Sequence, residues 1–234
     1  MYNDSSGSPV PVALFEKNRY ILVKNFIQGP VLNVAHRYAL MKVQTGQVTR
    51  EDKQVPGTPS LYGDTLMETI MELALPQVEQ LTGKKLFPTY AYFRVYRKGD
   101  VLRPHVDRPS CEISFTICLG YDVSNVEDSD YQWPIFVDNS KDYRHFGDQA
   151  LQLARPEEGT PVKLNPGDCV IYRGCEVRHW REAFMGNYQA QAFIHYVDQD
   201  GPYARYKFDT RPMLGASAAT IKDNGPYEFF PDKQ

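Results

Sequence analysis

The sequence predicts an α+β fold in which two helices precede a β-sandwich or barrel. Apolar residues recur at helical spacing in the first third of the chain, whereas short alternating apolar and polar runs, separated by turns, fill the remainder. With 234 residues the chain is long enough for one domain with a substantial core. Because amphipathic helices bury one side, we expect them to cover one face of the β-structure.

The first elements are a polar tail, a strand and a helix. Residues 1–11 are polar and proline-bearing, and we expect them to be mobile. The apolar run at 19–27 predicts a strand. A helix is predicted over 29–43, where apolar residues recur at helical spacing and Pro30 suits the first helical turn.

A second helix and then a series of strands follow. The helix is predicted over 61–85, kinked or broken at Pro76 and closed by Gly83. After residue 88 the pattern changes to short strands, and helices followed by a run of strands are typical of an α+β fold. The predicted strands are YAYFRVYR, EISFTICLGYD, WPIFVDN, TPVKLN, CVIYRG, VRHWRE and YQAQAFIHYV.

Composition restricts the partners and the location of the protein. The formal net charge is -3, so no overall positive field draws the chain to nucleic acid or anionic lipid. No apolar run approaches membrane length and no secretory leader is recognisable, which predicts a soluble cytoplasmic protein. The four cysteines form no CxxC pair, and we expect free thiols.

The strand YAYFRVYR predicts a polar cavity. Alternate residues of a strand face opposite sides, and its apolar residues can pack on the helices. The other side carries three tyrosines and an arginine, whereas a solvated face more often carries Lys, Glu and Thr. This second set consists of Tyr90, Tyr92, Arg94 and Tyr96.

Two histidines and an aspartate have the pattern of a metal site. His105 and Asp107 lie one residue apart at a predicted strand boundary, in RPHVDRP, and His179 follows the turn and strand of NPGDCVIYRG. A His-x-Asp pair alone is a weak signal. Together with a distant histidine it matches the two-histidine, one-carboxylate triad that binds Fe(II) and leaves coordination positions open on one side.

On these residues the chain resembles the Fe(II)/2-oxoglutarate-dependent dioxygenases, in particular the prolyl 4-hydroxylase-like branch. The resemblance spans roughly residues 88–198 and rests on Tyr96, RPHVDRP, EISFTICLGYD, NPGDCVIY, His179 and QAQAFIHYV. It implies a double-stranded β-helix, or jelly roll, with the N-terminal helices packed on its larger sheet. We therefore divide one structural domain into supporting residues 1–87, a jelly-roll core at 88–200 and a C-terminal arm at 201–234.

The resemblance also implies the chemistry. His105, Asp107 and His179 would bind Fe(II), and Tyr96 would reach toward 2-oxoglutarate. The cosubstrates are 2-oxoglutarate and O₂, with ascorbate as an additional reductant. The 2-oxoglutarate is converted to succinate and CO₂ while a C–H bond of the substrate is hydroxylated.

One departure concerns the far carboxylate of 2-oxoglutarate. Relatives usually place Arg or Lys on the last strand, about ten residues after the distal histidine, where this chain has Asn187, Tyr188 and Gln189. A buried carboxylate needs a partner. Arg94 is the first candidate because it shares the side of Tyr96, Arg181 is the second, and Gln189 or Gln191 would add hydrogen bonds.

Substrate residues are expected on the last strand. Phe193 and His195 share one side of it, and the pair suits a prolyl ring in a peptide, with the phenyl packing on the ring and the imidazole holding a carbonyl. Glu112 lies where several relatives carry an arginine that helps to hold peptide, so the peptide would be gripped differently.

Three functions therefore compete. The favoured one is a hydroxylase of an unactivated C–H bond, with a peptidyl proline or a small molecule as substrate. A nucleic-acid demethylase with the same iron chemistry is second, although the net charge argues against it. A jelly-roll binding protein without catalysis is third, because the carboxylate clamp is missing from its usual place.

Overall fold

A computed structural model describes residues 10–152 and 154–216. Residues 1–9 of the expected tail and 217–234 of the expected arm lie outside the described residues. Within the described part, the helices are α1 Val10–Asn18, α2 Gly29–Gln44, α3 Thr65–Thr82 and α4 Asp148–Leu151. The strands are β1 Tyr20–Val23, β2 Ser60–Tyr62, β3 Leu86–Arg97, β4 Leu102–His105, β5 Ile113–Asp122, β6 Ile135–Asp138, β7 Thr160–Val162, β8 Cys169–Arg173, β9 Arg178–Arg181 and β10 Tyr188–Asp198.

The strands of the described residues form two antiparallel sheets. The larger has the order β1-β8-β5-β10-β3-β2 and the smaller the order β4-β9-β6-β7. Helices α2 and α3 pack on the larger sheet. This arrangement is a jelly roll with helices on its larger sheet, so the predicted α+β fold is confirmed.

Alternation along β10 separates the core from the barrel interior. Ala190, Ala192, Ile194 and Tyr196 belong to the apolar core beneath the helices. The intervening residues face the interior between the sheets, where β10 lies between β3 and β5. These interior residues are Gln189, Gln191, Phe193 and His195, and all four are buried.

The N-terminal region corrects one expectation and narrows another. The tail was expected to extend to residue 11, but α1 begins at Val10 and is anchored by the fully buried Phe15. Of the predicted kink or break at Pro76, the break is excluded, because helix α3 continues through this residue. Its buried residues on both sides of the proline pack on the sheet, and this tertiary packing outweighs the loss of one hydrogen bond. Asp64 caps its start and Gly83, at φ 70°, ends it.

Three strands bring distant segments together. The supporting region contributes both edges of the larger sheet, because β1 pairs with β8 and the unpredicted β2 pairs with β3. The unpredicted β4 pairs with β9 in the smaller sheet. No helix among the described residues combines the length and apolar character needed to cross a membrane.

Helix α2 approaches the larger sheet closely at Gly120. A Cβ atom at this position would lie 2.6 Å from both ring nitrogens of His36 on α2. The backbone of Gly120 does not have a positive φ, so the close approach alone requires glycine.

We expect Gly120→Ala to lower the free energy of unfolding by roughly 1–3 kcal/mol through overpacking. Truncating the ring in Gly120→Ala/His36→Ala should recover most of that loss, as measured by urea unfolding of the single and double variants. Additive effects of the two substitutions would contradict this packing.

Candidate active site

Strand pairing brings the predicted metal ligands together. His105 ends β4 and lies directly opposite His179 on β9. Asp107 follows β4, and its backbone N–H donates a 2.8 Å hydrogen bond to the carbonyl of Gly174. The register of two strands and one turn contact therefore determines where all three side chains lie.

The three side chains converge on one point. Asp107 Oδ1 lies 3.7 Å from His105 Nε2 and 3.6 Å from His179 Nε2. One ligand atom from each residue lies within 4.8 Å of the others. Two imidazole nitrogens and one carboxylate oxygen in this arrangement suit Fe(II).

Backbone contacts determine which ring nitrogen of each histidine is unprotonated. Nδ1 of His105 is 2.8 Å from the carbonyl of Arg103, and Nδ1 of His179 is 2.9 Å from that of Val177. Because a carbonyl only accepts, each Nδ1 carries the proton, and in the neutral imidazole Nε2 presents a lone pair. This is the tautomer that binds a metal through Nε2.

Two residues that the sequence reasoning missed hold Asp107. The hydroxyl of Ser114 donates a 2.7 Å hydrogen bond to Oδ2, which leaves Oδ1 facing the histidines. A Cβ atom at Gly174 would meet Asp107 Oδ2 at 2.5 Å and would collide with a backbone carbonyl. The signal for Ser114 was available, because alternation along β5 places it on the interior side.

Electrostatics keep the site in its metal-binding protonation state. Burial, with a contribution from His179, lowers the pKa of His105 to about 4. Burial alone would raise the pKa of Asp107, but the neighbouring imidazoles, His179 foremost, hold it well below its usual range. At neutral pH the pair therefore consists of a neutral imidazole and a carboxylate.

Arg94 is buried and already has partners. It forms an ion pair with Asp52, donates to the Tyr96 hydroxyl at 3.1 Å and contacts Gln54 Oε1 at 3.3 Å. Gln54 Nε2 in turn lies 2.6 Å from His105 Nε2. Asp52 and Gln54 come from the irregular segment between α2 and β2, which has no periodic pattern that could have indicated their position.

Arg181 is equally buried but has unpaired donors. Its Nη1 donates to the carbonyl of Trp133 at 2.6 Å, and its guanidinium lies 4.6 Å from the Trp133 ring centre. Nε and Nη2 meet no hydrogen-bond acceptor among residues 10–152 and 154–216. Burial lowers the pKa of Arg181. Such a group needs an anion or another acceptor.

The remaining predicted cosubstrate residues line the same interior. Tyr96 is fully buried and packs edge-on against Trp133 at 4.8 Å. Gln189 donates to Gln191 at 3.0 Å, and Gln191 donates to Thr116 at 2.6 Å. The strand register pairs Gln189 with Tyr96, so this polar chain starts beside the tyrosine.

A cavity of about 670 Å³ opens beside the candidate metal ligands. This volume suits a small molecule or a side chain. His195 lines the cavity, whereas Phe193 lies behind Tyr92, on whose ring it stacks at 4.5 Å. The principal lining residues are Asp52, Gln54, Tyr62, Tyr90, Tyr92, His105, Asp107, Arg108 and His195.

A second trio of potential ligands shares Asp107. Cys111 and His195 also lie within reach of its carboxylate. Burial raises the pKa of the Cys111 thiol, which lies 3.1 Å from the Tyr90 hydroxyl. A protonated thiol is a poor metal ligand, so His105, Asp107 and His179 form the better site.

The fold is the one shared by solved Fe(II)/2-oxoglutarate-dependent dioxygenases, including prolyl 4-hydroxylases. A prolyl 4-hydroxylase of Pseudomonas putida has a TM-score of 0.58 at 11% identity, over 80% of this chain and 96% of its own. The epimerase SnoN, in complex with Fe³⁺, α-ketoglutarate and nogalamycin RO, has a TM-score of 0.64 at 16% identity, over 92% of this chain and 93% of its own.

A prolyl hydroxylase of Trichoplax adhaerens, in complex with a hypoxia-inducible-factor peptide, has a TM-score of 0.58 at 13% identity, over 80% of this chain and 87% of its own. No protein-family model matches the sequence, and no curated protein matches it. At these identities the likeness establishes a common fold.

Buried neutral histidines predict a loss of stability in acid. Burial lowers the pKa of His105 and of His195 from 6.5 to about 4. Between these values the unfolded chain binds protons that the folded chain does not, so the free energy of unfolding should fall as the pH drops from about 6.5 to about 4, by on the order of 1 kcal/mol per pH unit for each group.

Urea unfolding of metal-free protein at several pH values measures this slope. His195→Gln should reduce it, whereas His145→Gln, at an exposed position, should leave it unchanged. An unaltered slope in His195→Gln would show that His195 titrates normally in the folded protein.

Proposed function

We propose that the protein is an Fe(II)- and 2-oxoglutarate-dependent dioxygenase that hydroxylates an unactivated C–H bond. The observation that carries the proposal is the convergence of two unprotonated Nε2 atoms and one carboxylate oxygen, from His105, His179 and Asp107, on one point. Bound Fe(II) would supply the activation of O₂ with electrons from 2-oxoglutarate. The chain itself holds the ligands in the required tautomer, orients the cosubstrate and surrounds it with buried walls.

The structure supports Arg181 over Arg94 as the partner of the far carboxylate of 2-oxoglutarate. The sequence favours Arg94, but that guanidinium already pairs with Asp52. Arg181 offers two unpaired buried donors and lies two residues beyond His179 on the same side of β9, which is about 6.6 Å along a strand. A five-carbon dicarboxylate bound at the triad would span a distance of this order, with Tyr96 and Gln189 beside it.

A peptidyl proline is the substrate that the resemblance favours, and a small molecule is the alternative. Two structures with the same fold are prolyl hydroxylases, one of them with a peptide, and a third is an epimerase with nogalamycin RO. Glu112 accepts a 2.8 Å hydrogen bond from the backbone N–H of Asp198 instead of facing the cavity, so it offers no grip to a peptide. We retain the cytoplasm as the proposed location, and the net charge of -3 does not favour nucleic acid.

Each triad residue should be essential for turnover. His105→Ala, Asp107→Ala and His179→Ala should each abolish Fe(II)-dependent succinate formation and weaken metal binding, while the thermal unfolding transition stays cooperative, because the fold rests on its apolar core. Calorimetric metal titration and succinate assay measure the two effects. His145→Ala, at an exposed site, is the control. Full turnover in His179→Ala would exclude this triad, and no succinate from the unaltered protein would favour the non-catalytic binding protein.

The two arginines make opposite predictions. If Arg181 pairs with the carboxylate, Arg181→Gln should raise the apparent KM for 2-oxoglutarate roughly 10- to 100-fold, the effect of losing a charge-assisted pair. Arg94→Gln should change it much less, and Arg181→Lys should recover part of the affinity. Initial rates of succinate formation measure these constants, with unfolding curves to verify the fold. A large change in Arg94→Gln alone would return the role to Arg94.

A further inference from the structure

One nitrogen atom in the cavity wall has no partner. Nε2 of His195 is buried and meets no hydrogen-bonding group in the part of the chain that the structure describes. The residue lines the cavity beside Asp107. Its ring packs against those of Tyr90, at 4.6 Å, and Tyr92, at 5.9 Å. A buried polar atom without a partner, on a residue that lines a cavity and packs between aromatic rings, indicates contact with a ligand.

The hydrogen bonds of Ser114 determine which nitrogen of His195 carries the proton. Ser114 Oγ lies 2.7 Å from Asp107 Oδ2, 3.0 Å from the carbonyl of Cys111 and 2.8 Å from His195 Nδ1. The first two atoms can only accept, so the single hydroxyl hydrogen must go to one of them. Donation to His195 instead would leave two acceptor oxygens facing the lone pairs of Oγ. His195 Nδ1–H therefore donates to Ser114.

His195 consequently offers an acceptor to the cavity. A second proton, on Nε2, would bury a charge without an acceptor between the rings of Tyr90 and Tyr92, so the imidazole keeps a single proton on Nδ1. Nε2 presents a lone pair, which is the opposite polarity to the carbonyl-holding donor expected from the sequence.

We propose that His195 Nε2 selects a small ring-bearing substrate by accepting a hydrogen bond from its hydroxyl or N–H group. This inference rests on the proposed function and names the class of substrate. The ring would lie against Tyr90 and Tyr92, which form the adjacent wall. A peptidyl proline ring has a tertiary amide nitrogen and carries no donor, so it would leave Nε2 unpaired.

Contacts at the cavity mouth also favour a compact substrate. Arg108 forms two 2.7 Å hydrogen bonds with Asp209, and Tyr62 also donates to Asp209. Arg108 and Tyr62 both line the cavity, so the segment that contains Asp209 is joined to its rim. Because this contact ties the segment to two residues of the cavity wall, it favours a compact substrate over an extended peptide.

The first test reads the proton positions directly. In the full-length protein labelled with ¹⁵N-histidine, nuclear magnetic resonance should show His195 with a protonated Nδ1 and an unprotonated Nε2 at pH 7, with the signals assigned by their loss in His195→Phe. A protonated Nε2 would overturn the proposal. Because this measurement requires no turnover, it can fail or succeed independently of the dioxygenase assignment.

The second test uses phenol and anisole as matched probes that differ in the donor. Phenol should shift the Nε2 resonance and bind roughly tenfold more tightly than anisole, the usual effect of one buried hydrogen bond. In His195→Phe the two probes should bind alike, and His145→Phe should retain the preference. Equal binding of both probes, a preference that survives in His195→Phe, or no perturbation of His195 by either probe would each contradict the proposal.

Ser114→Ala tests the origin of the preference. Without the acceptor for Nδ1–H, the proton is free to move to Nε2, so the preference for phenol should shrink and the two nitrogen resonances should approach each other. An unchanged tautomer and preference in Ser114→Ala would refute the positioning role of Ser114.

Turnover measurements then test the proposed substrate class separately from the proposed dioxygenase activity. Donor-bearing ring compounds should stimulate succinate formation and gain one oxygen atom, and His195→Phe should raise their KM more than it lowers kcat. If proline-rich peptides are hydroxylated instead and His195→Phe does not affect them, the substrate class is refuted while the dioxygenase function stands.

Discussion

The pairing of β4 with β9 is the constraint on which the site depends. One register places His105 opposite His179, and the hydrogen bond from Asp107 to Gly174 brings the carboxylate to the same point. A shift of one residue would turn one histidine to the other side of the smaller sheet. Since both strands are only four residues long, their position depends on the flanking turns and on β6, which pairs with β9 on its other side.

The larger sheet contributes a different property, a polar interior within an apolar shell. Along β3, β5 and β10, one set of alternate residues builds the core under the helices, and the other lines the barrel with tyrosines, glutamines and Arg94. Burying two arginines is unfavourable unless each has a partner. Asp52 meets that need for Arg94, whereas Arg181 retains unpaired donors among the described residues. The barrel interior therefore contains one paired guanidinium and one with donors available to an anion.

Sequence reasoning succeeded where a short-range pattern determines the outcome. Alternation correctly placed Arg94, Tyr96 and His195 in the interior, and the jelly roll is confirmed. It could not place Asp52 or Gln54, because an irregular segment has no period and reaches the barrel only through tertiary contacts. Sequence reasoning also ranked Arg94 above Arg181 as the carboxylate partner. The ion pair between Arg94 and Asp52 involves the same irregular segment, so the sequence pattern could not reveal it. The roles of the metal, cosubstrate and substrate residues stay predictions.

The contact between Gln54 and His105 would compete with a metal for the same nitrogen atom. A lone pair on Nε2 can serve one partner at a time, and here the amide of Gln54 holds it while Asp52, two residues earlier, holds Arg94. A metal at His105 would have to displace Gln54, so the free energy of this contact would be subtracted from the affinity for the metal. By reciprocity, a bound metal would weaken the contact of Gln54 with the cavity wall. Metal binding and the position of Gln54 would then be coupled through a single nitrogen atom.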